Sequence, residues 1–425
     1  MGERMTPKPT AWAEAKRNAW VICLAAVVSG LAFGEEESPP PREFPLSIHA
    51  FGTLGAARST SGTAQYVRDS SQPYGLKTDW SPNIDSVFGA QANYNFTAST
   101  EAVVQVISRY RYNGNWGPEV SWAYIGHEFT PGLKLRAGRL GTEFYMLSDS
   151  RLIGYSNLTI RPAPDFFSPL IFSYFDGADI SGSLPVGSGL LRAKLFQGYS
   201  PEKTPFFGDI AWDLSGSRLR GGYLDYLDGP WQFRLSHAEV RFSSHEIPVN
   251  QLAAPYLSPY LAFLPSSNIT TLVPELSTVG KTAGFSSLGV VYDKGPFRLQ
   301  GMYGRIQHES RSYENSWSAF LLASYRIGEV TPYLGYSTVK SSQKALSNPP
   351  SALLATVVDN LRKPAHMDRH TVTLGARWDF RENMALKAQL DLVRGDPESY
   401  MPYRGEFSNW SGKMEILSVA LDFAF

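Results

Sequence analysis

From residue 46 to the last residue, apolar and polar positions alternate in short runs, the pattern of strands with one wet face and one greasy face. Residues 46–58 put Leu46, Ile48, Ala50, Gly52 and Leu54 on one side. Residues 85–96 do the same with Phe88, Ala90, Ala92, Tyr94 and Phe96; after a turn at 97–100, Ala102, Val104, Val106, Ser108 and Tyr110 follow. The final stretch alternates most strictly. Leu417, Val419, Leu421, Phe423 and Phe425 share a face, and Ser418, Ala420, Asp422 and Ala424 the other.

Between these ends the same rhythm predicts strands at 120–129 and 133–140, 178–185 and 190–199, 217–227 and 231–242, 282–292 and 297–308, 317–327 and 330–339, and 370–380 and 384–394. Tight turns rich in Gly, Pro, Asn or Glu join the members of each pair, as at Asp228-Gly229-Pro230 and Lys294-Gly295-Pro296. The other connections are mostly long. With the terminal strand, the runs add up to sixteen. Short turns at one end and long loops at the other are the asymmetry of a transmembrane, antiparallel up-and-down β-barrel, and about sixteen strands leave a lumen wide enough for water. The apolar stretches of 243–281, or the connection 340–369, could hide another hairpin and raise the count to eighteen.

Composition fits an all-β membrane protein better than a helical one. The chain has 425 residues, 37 of them glycine, and 13% aromatics. Its mean hydropathy is only −0.21. One apolar run, 19–33, stands out; it is shorter than the roughly 20 residues of a spanning helix, follows basic Arg4, Lys8, Lys16 and Arg17, and ends at Ala32-Phe33-Gly34. Residues 1–34 are therefore expected to be a signal peptide, 35–45 a short periplasmic lead-in, and 46–425 the barrel. Cys23, the single cysteine, falls in the signal segment, so no disulfide or thiol chemistry is expected in the exported chain. Without residues 1–34 the chain carries 35 basic against 37 acidic side chains, which argues against a nucleic-acid partner.

The closing strand, ending on Phe425 with Phe423 on the same face, resembles the assembly signal of bacterial outer-membrane barrels. The long connection after the fifth strand, residues 141–177, resembles in place and length the loop that folds into the lumen of general porins. It lacks the Pro-Glu-Phe-Gly-Gly type of tip known from some of them. The resemblance implies a Gram-negative outer-membrane porin, exported and inserted through the barrel-assembly machinery, surrounded by outer-membrane lipid and assembled as a homotrimer.

Charged residues out of phase with the greasy face should point into water, because on the lipid side each costs roughly 2–4 kcal/mol at mid-bilayer. Arg109, Arg111, Lys134, Arg136, Arg192, Lys194, Arg298, Arg377 and Lys387 form the expected pore-lining set; Tyr110 and Tyr112 alternate outward beside the first two. Glu143, Asp149, Arg151, Asp165 and Asp176 are the charged candidates on the inward loop. A basic wall facing loop acids would set a transverse field, and the bias of the wall towards Lys and Arg leans the channel towards anions. Phe96, Tyr110, Tyr112, Phe129, Trp231, Tyr292, Phe297, Trp378, Phe380 and Phe425 suit interfacial girdles.

Enzymatic signals are weak. His366 and His370 have i, i+4 spacing, but Pro364 precedes them and no Glu lies between, so no zinc helix is expected. No Ser, His and Asp stand at a diagnostic spacing, and no cofactor is implied. The expected function is passive diffusion of small hydrophilic solutes. The alternatives are a substrate-specific channel for a small organic anion, or a non-conducting barrel acting as an envelope enzyme or adhesin.

Overall fold

The computed structural model describes residues 45–207, 210–243, 274–347, 362–399 and 410–425, together with 272, 355, 358 and 359. The expected signal peptide and nearly all of the lead-in lie outside the described residues. Strands run over β1 (Leu46–Ser59), β2 (Val87–Asn95), β3 (Thr100–Arg109), β4 (Glu119–Thr130), β5 (Leu133–Gly141), β6 (Tyr174–Val186) and β7 (Gly189–Tyr199). A small pair follows, β8 (Lys203–Phe207) and β9 (Ile210–Asp213). Next come β10 (Arg218–Asp228), β11 (Trp231–Arg241), β12 (Thr282–Lys294), β13 (Phe297–His308) and β14 (Asn315–Tyr325). The last are β15 (Val330–Ser342), β16 (Asp368–Arg381), β17 (Met384–Gly395) and β18 (Lys413–Ala424); one helical turn, α1 (Pro164–Phe167), interrupts the loop after β5.

All strands but β8 and β9 form one closed barrel of sixteen, each antiparallel to its neighbours, with β18 returning to β1 in a register that sets Thr53 opposite Asp422. Closure leaves no unpaired edge in the hydrocarbon, where each lone backbone group would cost several kcal/mol. The eighteen-strand alternative is thereby corrected. The two extra strands of the chain pair only with each other, in the connection 200–217 that the alternation did not mark.

The period of two governs burial as well. On β18, Leu417 and Val419 are exposed on the outer face while Ser418 and Asp422 are buried within. Leu195, Leu235, Leu288 and Leu321 are likewise exposed outward on β7, β11, β12 and β14. Aromatic contacts cluster near the tight turns: Trp231 lies 4.6 Å from Tyr292 and 5.7 Å from Phe233, between ring centres. Tyr110 does not belong with them. β3 stops at Arg109, and Tyr110 turns inward, 8% exposed, beside Trp116.

Two long connections enter the barrel instead of standing above it. The loop after β1 packs Ala64, Tyr66, Leu76 and Ile84 against Met414 and Ile416 of β18 and Val393 of β17. The loop after β5 fills a much larger part of the lumen.

Candidate pore and its inward loop

The inward loop, residues 142–173, leaves and rejoins the wall at one point, where the Thr142 amide donates to the Ser173 carbonyl. Its first and last parts are apolar. Phe144, Tyr145, Met146, Phe166, Phe167, Leu170 and Phe172 are buried against Phe196 of β7, Ala238 of β11, Phe285 of β12, Met302 of β13 and Phe320 of β14. Phe144 lies 5.0 Å from Phe285 and 6.0 Å, stacked, from Phe196; Phe166 meets Phe320 edge-on at 5.2 Å. Each such buried side chain contributes about 1.5–3 kcal/mol from its removal from water. Two wall glycines make room: a Cβ on Gly289 would come within 3.2 Å of Met146, and one on Gly304 within 3.1 Å of Phe166.

The middle of the loop is held by charge. The Arg161 guanidinium is completely buried, donates to both carboxylate oxygens of Asp85 at 2.8 and 2.6 Å, and reaches Asp391 of β17 and Ser418 of β18 at 2.6 Å each. Asp165, in α1, accepts from Arg369 of β16 at 2.7 Å and from Ser337 of β15. Lys387 donates to the carbonyls of Gly154, Asn157 and Thr159 and pairs with Asp422 at 2.7 Å. Arg377 donates to the carbonyls of Tyr155 and Asn157 and to Asp379. The loop thus spans the lumen from β5 to the seam where β1 meets β18.

The remaining candidates fall into three groups. At the root of the loop, the Glu143 carboxylate accepts from Lys194 and Arg136, and Arg136 also grips Asp179 of β6. Burial opposes the charge on Glu143, but Lys194, Arg136 and Arg234 outweigh it and hold the carboxyl down at about 2. Asp149 is half-buried, and desolvation together with nearby Glu143 pushes its carboxyl up from the ordinary range.

At the long-loop end, Arg109 and Arg111 share Glu119, while Arg109 also donates to Ser71. Arg151 donates to the Phe172 carbonyl and the Ser173 hydroxyl, and burial lowers it to about 10. Nearby Glu202 accepts the amides of Ser173 and Tyr174; burial raises its carboxyl to about 7. This cluster ties three connections to the mouth of the inward loop.

The third group faces more open space. Lys134 is half-buried and pairs with Glu101 at 2.7 Å. Arg298 is half-buried with Asp293 at 3.3 Å, and Arg192 is half-buried and makes no ion pair among the described residues. Asp176 does not join the loop acids: it lies in β6, in phase with outward-facing Ile180, and pairs with Arg139 at 2.7 Å. Phe423 and Phe425 close the barrel seam, where the Phe425 amide donates to the Ala50 carbonyl.

Alternation alone did not single out Arg234, Asp225 or Asp179. Arg234 and Asp225 sit directly opposite in the β10–β11 hairpin and form a bidentate pair at 2.6 Å. That pairing was readable from the turn at 228–230. Asp85 and Arg161 carry no such signal, because their contact joins two loops distant in sequence.

The His366 ring donates from Nδ1 to the Glu314 carboxylate at 2.9 Å, and His370 lies on the outer side of β16 against Tyr336. They do not face one another.

No family model and no curated sequence matches the chain. Solved structures do: OmpT of Vibrio cholerae in its trimer form is 13% identical, with 89% of this chain and 99% of that one covered at a TM-score of 0.51. Salmonella typhi OmpF in complex with daunomycin is 10% identical, with 89% and 97% covered, at 0.55. The fold is that of an outer-membrane porin. An anion-selective porin from Comamonas acidovorans shares it at 15% identity, with 89% and 99% covered and a TM-score of 0.51. Of the two connections that turn inward here, the loop after the fifth strand is the one that crosses the lumen.

Proposed function

We propose that the chain is an outer-membrane channel for passive diffusion of small hydrophilic solutes, leaning towards anions, and catalyses no reaction. The observation that carries this reading is the closed sixteen-strand barrel with a long loop pinned inside it. A loop anchored by both apolar packing and buried ion pairs narrows a pore without blocking it by chance motion, since each anchor must break before the loop can move. The anion preference rests on balance of charge. Most wall cations are neutralised by neighbours, whereas Arg192 makes no ion pair among the described residues and Arg298 keeps one carboxylate at 3.3 Å.

The resemblance in fold to a porin described as a trimer supports assembly as a homotrimer, with membrane lipid around the outer faces. Export by residues 1–34 and recognition of the strand ending in Phe423 and Phe425 by the assembly machinery complete the proposal. Single-channel recording of the refolded chain in a planar bilayer under a salt gradient tests it. Large stable steps with an anion-leaning reversal potential are expected; a folded barrel without steps would overturn the channel, and a cation-leaning potential the charge assignment.

A further inference from the structure

Beneath the inward loop, the wall of β13 to β17 leaves a cavity of about 1290 Å³, its open mouth included. One side is apolar: Phe320 and Leu322 from β14 meet Pro164 and Phe167 of α1, with Phe167 and Phe320 ring centres 5.9 Å apart. The other side is polar and comes from a single strand. Arg298 and Gln300 stand two residues apart on β13, so both point to the lumen. Gln300 is 92% buried by its 8% exposure, and its amide makes no hydrogen bond among the described residues. Arg298 uses only Nη1, on Asp293 at 3.3 Å, so Nε and Nη2 have no partner among the described residues.

The other polar groups of the cavity are already engaged. Arg377 holds loop carbonyls, Ser337 donates to Asp165, Thr373 donates to Asp391, and Gln389 bonds Asp391 and the Ile160 amide. Unused hydrogen-bonding capacity is therefore concentrated at Arg298 and Gln300, next to a greasy wall. Both groups reach the lumen, so water or a solute meets their free donors, and a ligand that replaces that water with a charged acceptor gains a charge-assisted contact. A planar guanidinium with two free donors on one edge matches a carboxylate.

We propose that this alcove is a binding site for a small monocarboxylate with an aromatic body. The carboxylate sits on Arg298 with the Gln300 amide beside it, and the ring lies against Leu322, Phe320 and Phe167. A single available cation selects one negative charge, and the apolar wall favours benzoate-like solutes over acetate or an inorganic anion. Arg298 lies two residues beyond the tight turn at 294–296, which places the charged end of the site towards the short-turn end of the barrel. The inference rests on the channel reading and names a solute class for it.

The test uses the full refolded chain with benzoate and acetate as probes. Isothermal titration in detergent should give benzoate binding at least 10-fold tighter than acetate. In a planar bilayer, benzoate should interrupt the current at correspondingly lower concentration, judged against each variant's own open current. Arg298→Gln should weaken benzoate at least 10-fold; Leu322→Asn should erase the preference for benzoate over acetate while leaving acetate unchanged. Equal binding of the two probes, or an unchanged benzoate affinity in Arg298→Gln, overturns the site. A barrel that conducts salt but ignores benzoate sinks the site alone, and a silent barrel that still binds benzoate in detergent sinks the channel alone.

Discussion

The two halves of the inward loop are held to the same wall by opposite physics. Its root and return, around Phe144 and Phe166, lie on inward-facing aromatics of β7, β12 and β14. Its middle, around Arg161, hangs on fully buried ion pairs to Asp85 and Asp391. Apolar packing is tolerant: removing one ring leaves the others in contact, and the cost is that of a cavity. A buried ion pair is intolerant, because losing one partner leaves the other charged and dry. The apolar half therefore fixes where the loop lies, and the charged half decides whether it stays there.

The sharpest way to break this contrast is Arg161→Ala. Two buried carboxylates, Asp85 and Asp391, would lose their shared cation, a loss of about 3–5 kcal/mol for breaking a buried pair. The expected result is a wider, noisier channel and protease cleavage within residues 150–163. Arg161→Lys should restore part of the anchoring through one of the two carboxylates, and a quiet channel of unchanged conductance in Arg161→Ala would show that the ion pairs do not hold the loop.

On the apolar side, Phe144→Ala should cost about 3 kcal/mol, near the lower end for a buried aromatic. The loop should stay in place, because Phe166 remains on Phe320 and the backbone carbonyl of residue 144 still accepts from Ser236. Thermal unfolding should therefore shift downward while conductance changes little. A conductance jump as large as in Arg161→Ala would erase the division of labour between the halves.

A smaller effect concerns the latch at the mouth. Glu202 has its carboxyl raised to about 7 by burial, above the ordinary 4.5. The folded state then binds the proton more tightly than the unfolded one, so its contribution is present below about pH 4.5 and is lost as pH rises through 7. The difference amounts to about 3 kcal/mol at most. Arg151 and the Ser173 and Tyr174 amides face this carboxylate favourably, while Glu119 opposes it. Protection of the amides of residues 200–207 and 210–217, corrected for the intrinsic rise of exchange with pH, should fall from pH 6 to pH 8, and Glu202→Gln should remove that fall. Equal pH dependence in both proteins would place the opening elsewhere.

The same contrast explains what could be read from the chain. The outer face was legible because lipid demands one chemistry along most of its height: Leu417 and Val419 on β18 have counterparts in Leu195, Leu235, Leu288 and Leu321 on β7, β11, β12 and β14. The inner face answers to no uniform solvent. Phe196, Phe285 and Phe320 face inward because the loop, not water, is their neighbour, and a rule of polar residues inside misses them. Asp176 misled for a related reason. Tyr174 and Phe175 before it look like loop residues, yet pairing with Gly141 and Leu140 starts β6 there and turns Asp176 outward to Arg139. The partners of Arg161 were invisible, since contacts across 76 and 230 residues leave no local trace.

The smallest expected effect on stability carries the most direct information about selectivity. Arg192 stands on the inner face of β7, two residues from Lys194, half-exposed and without an ion pair among the described residues. Lys194, by contrast, is buried and spends its charge on Glu143. Reversing the free charge with Arg192→Glu should leave unfolding within about 0.5 kcal/mol, as for surface substitutions that break no contact. It should still move the reversal potential towards cations, because a lone charge in a narrow, low-dielectric lumen acts on every passing ion. Lys194→Gln should do the reverse: it leaves Glu143 to Arg136 alone and costs stability, and its shift in selectivity then reports an under-neutralised carboxylate instead of a lost free cation. If Arg192→Glu leaves the reversal potential untouched while Lys194→Gln moves it, the field that sorts ions is made by the paired root of the loop and not by the unpaired wall.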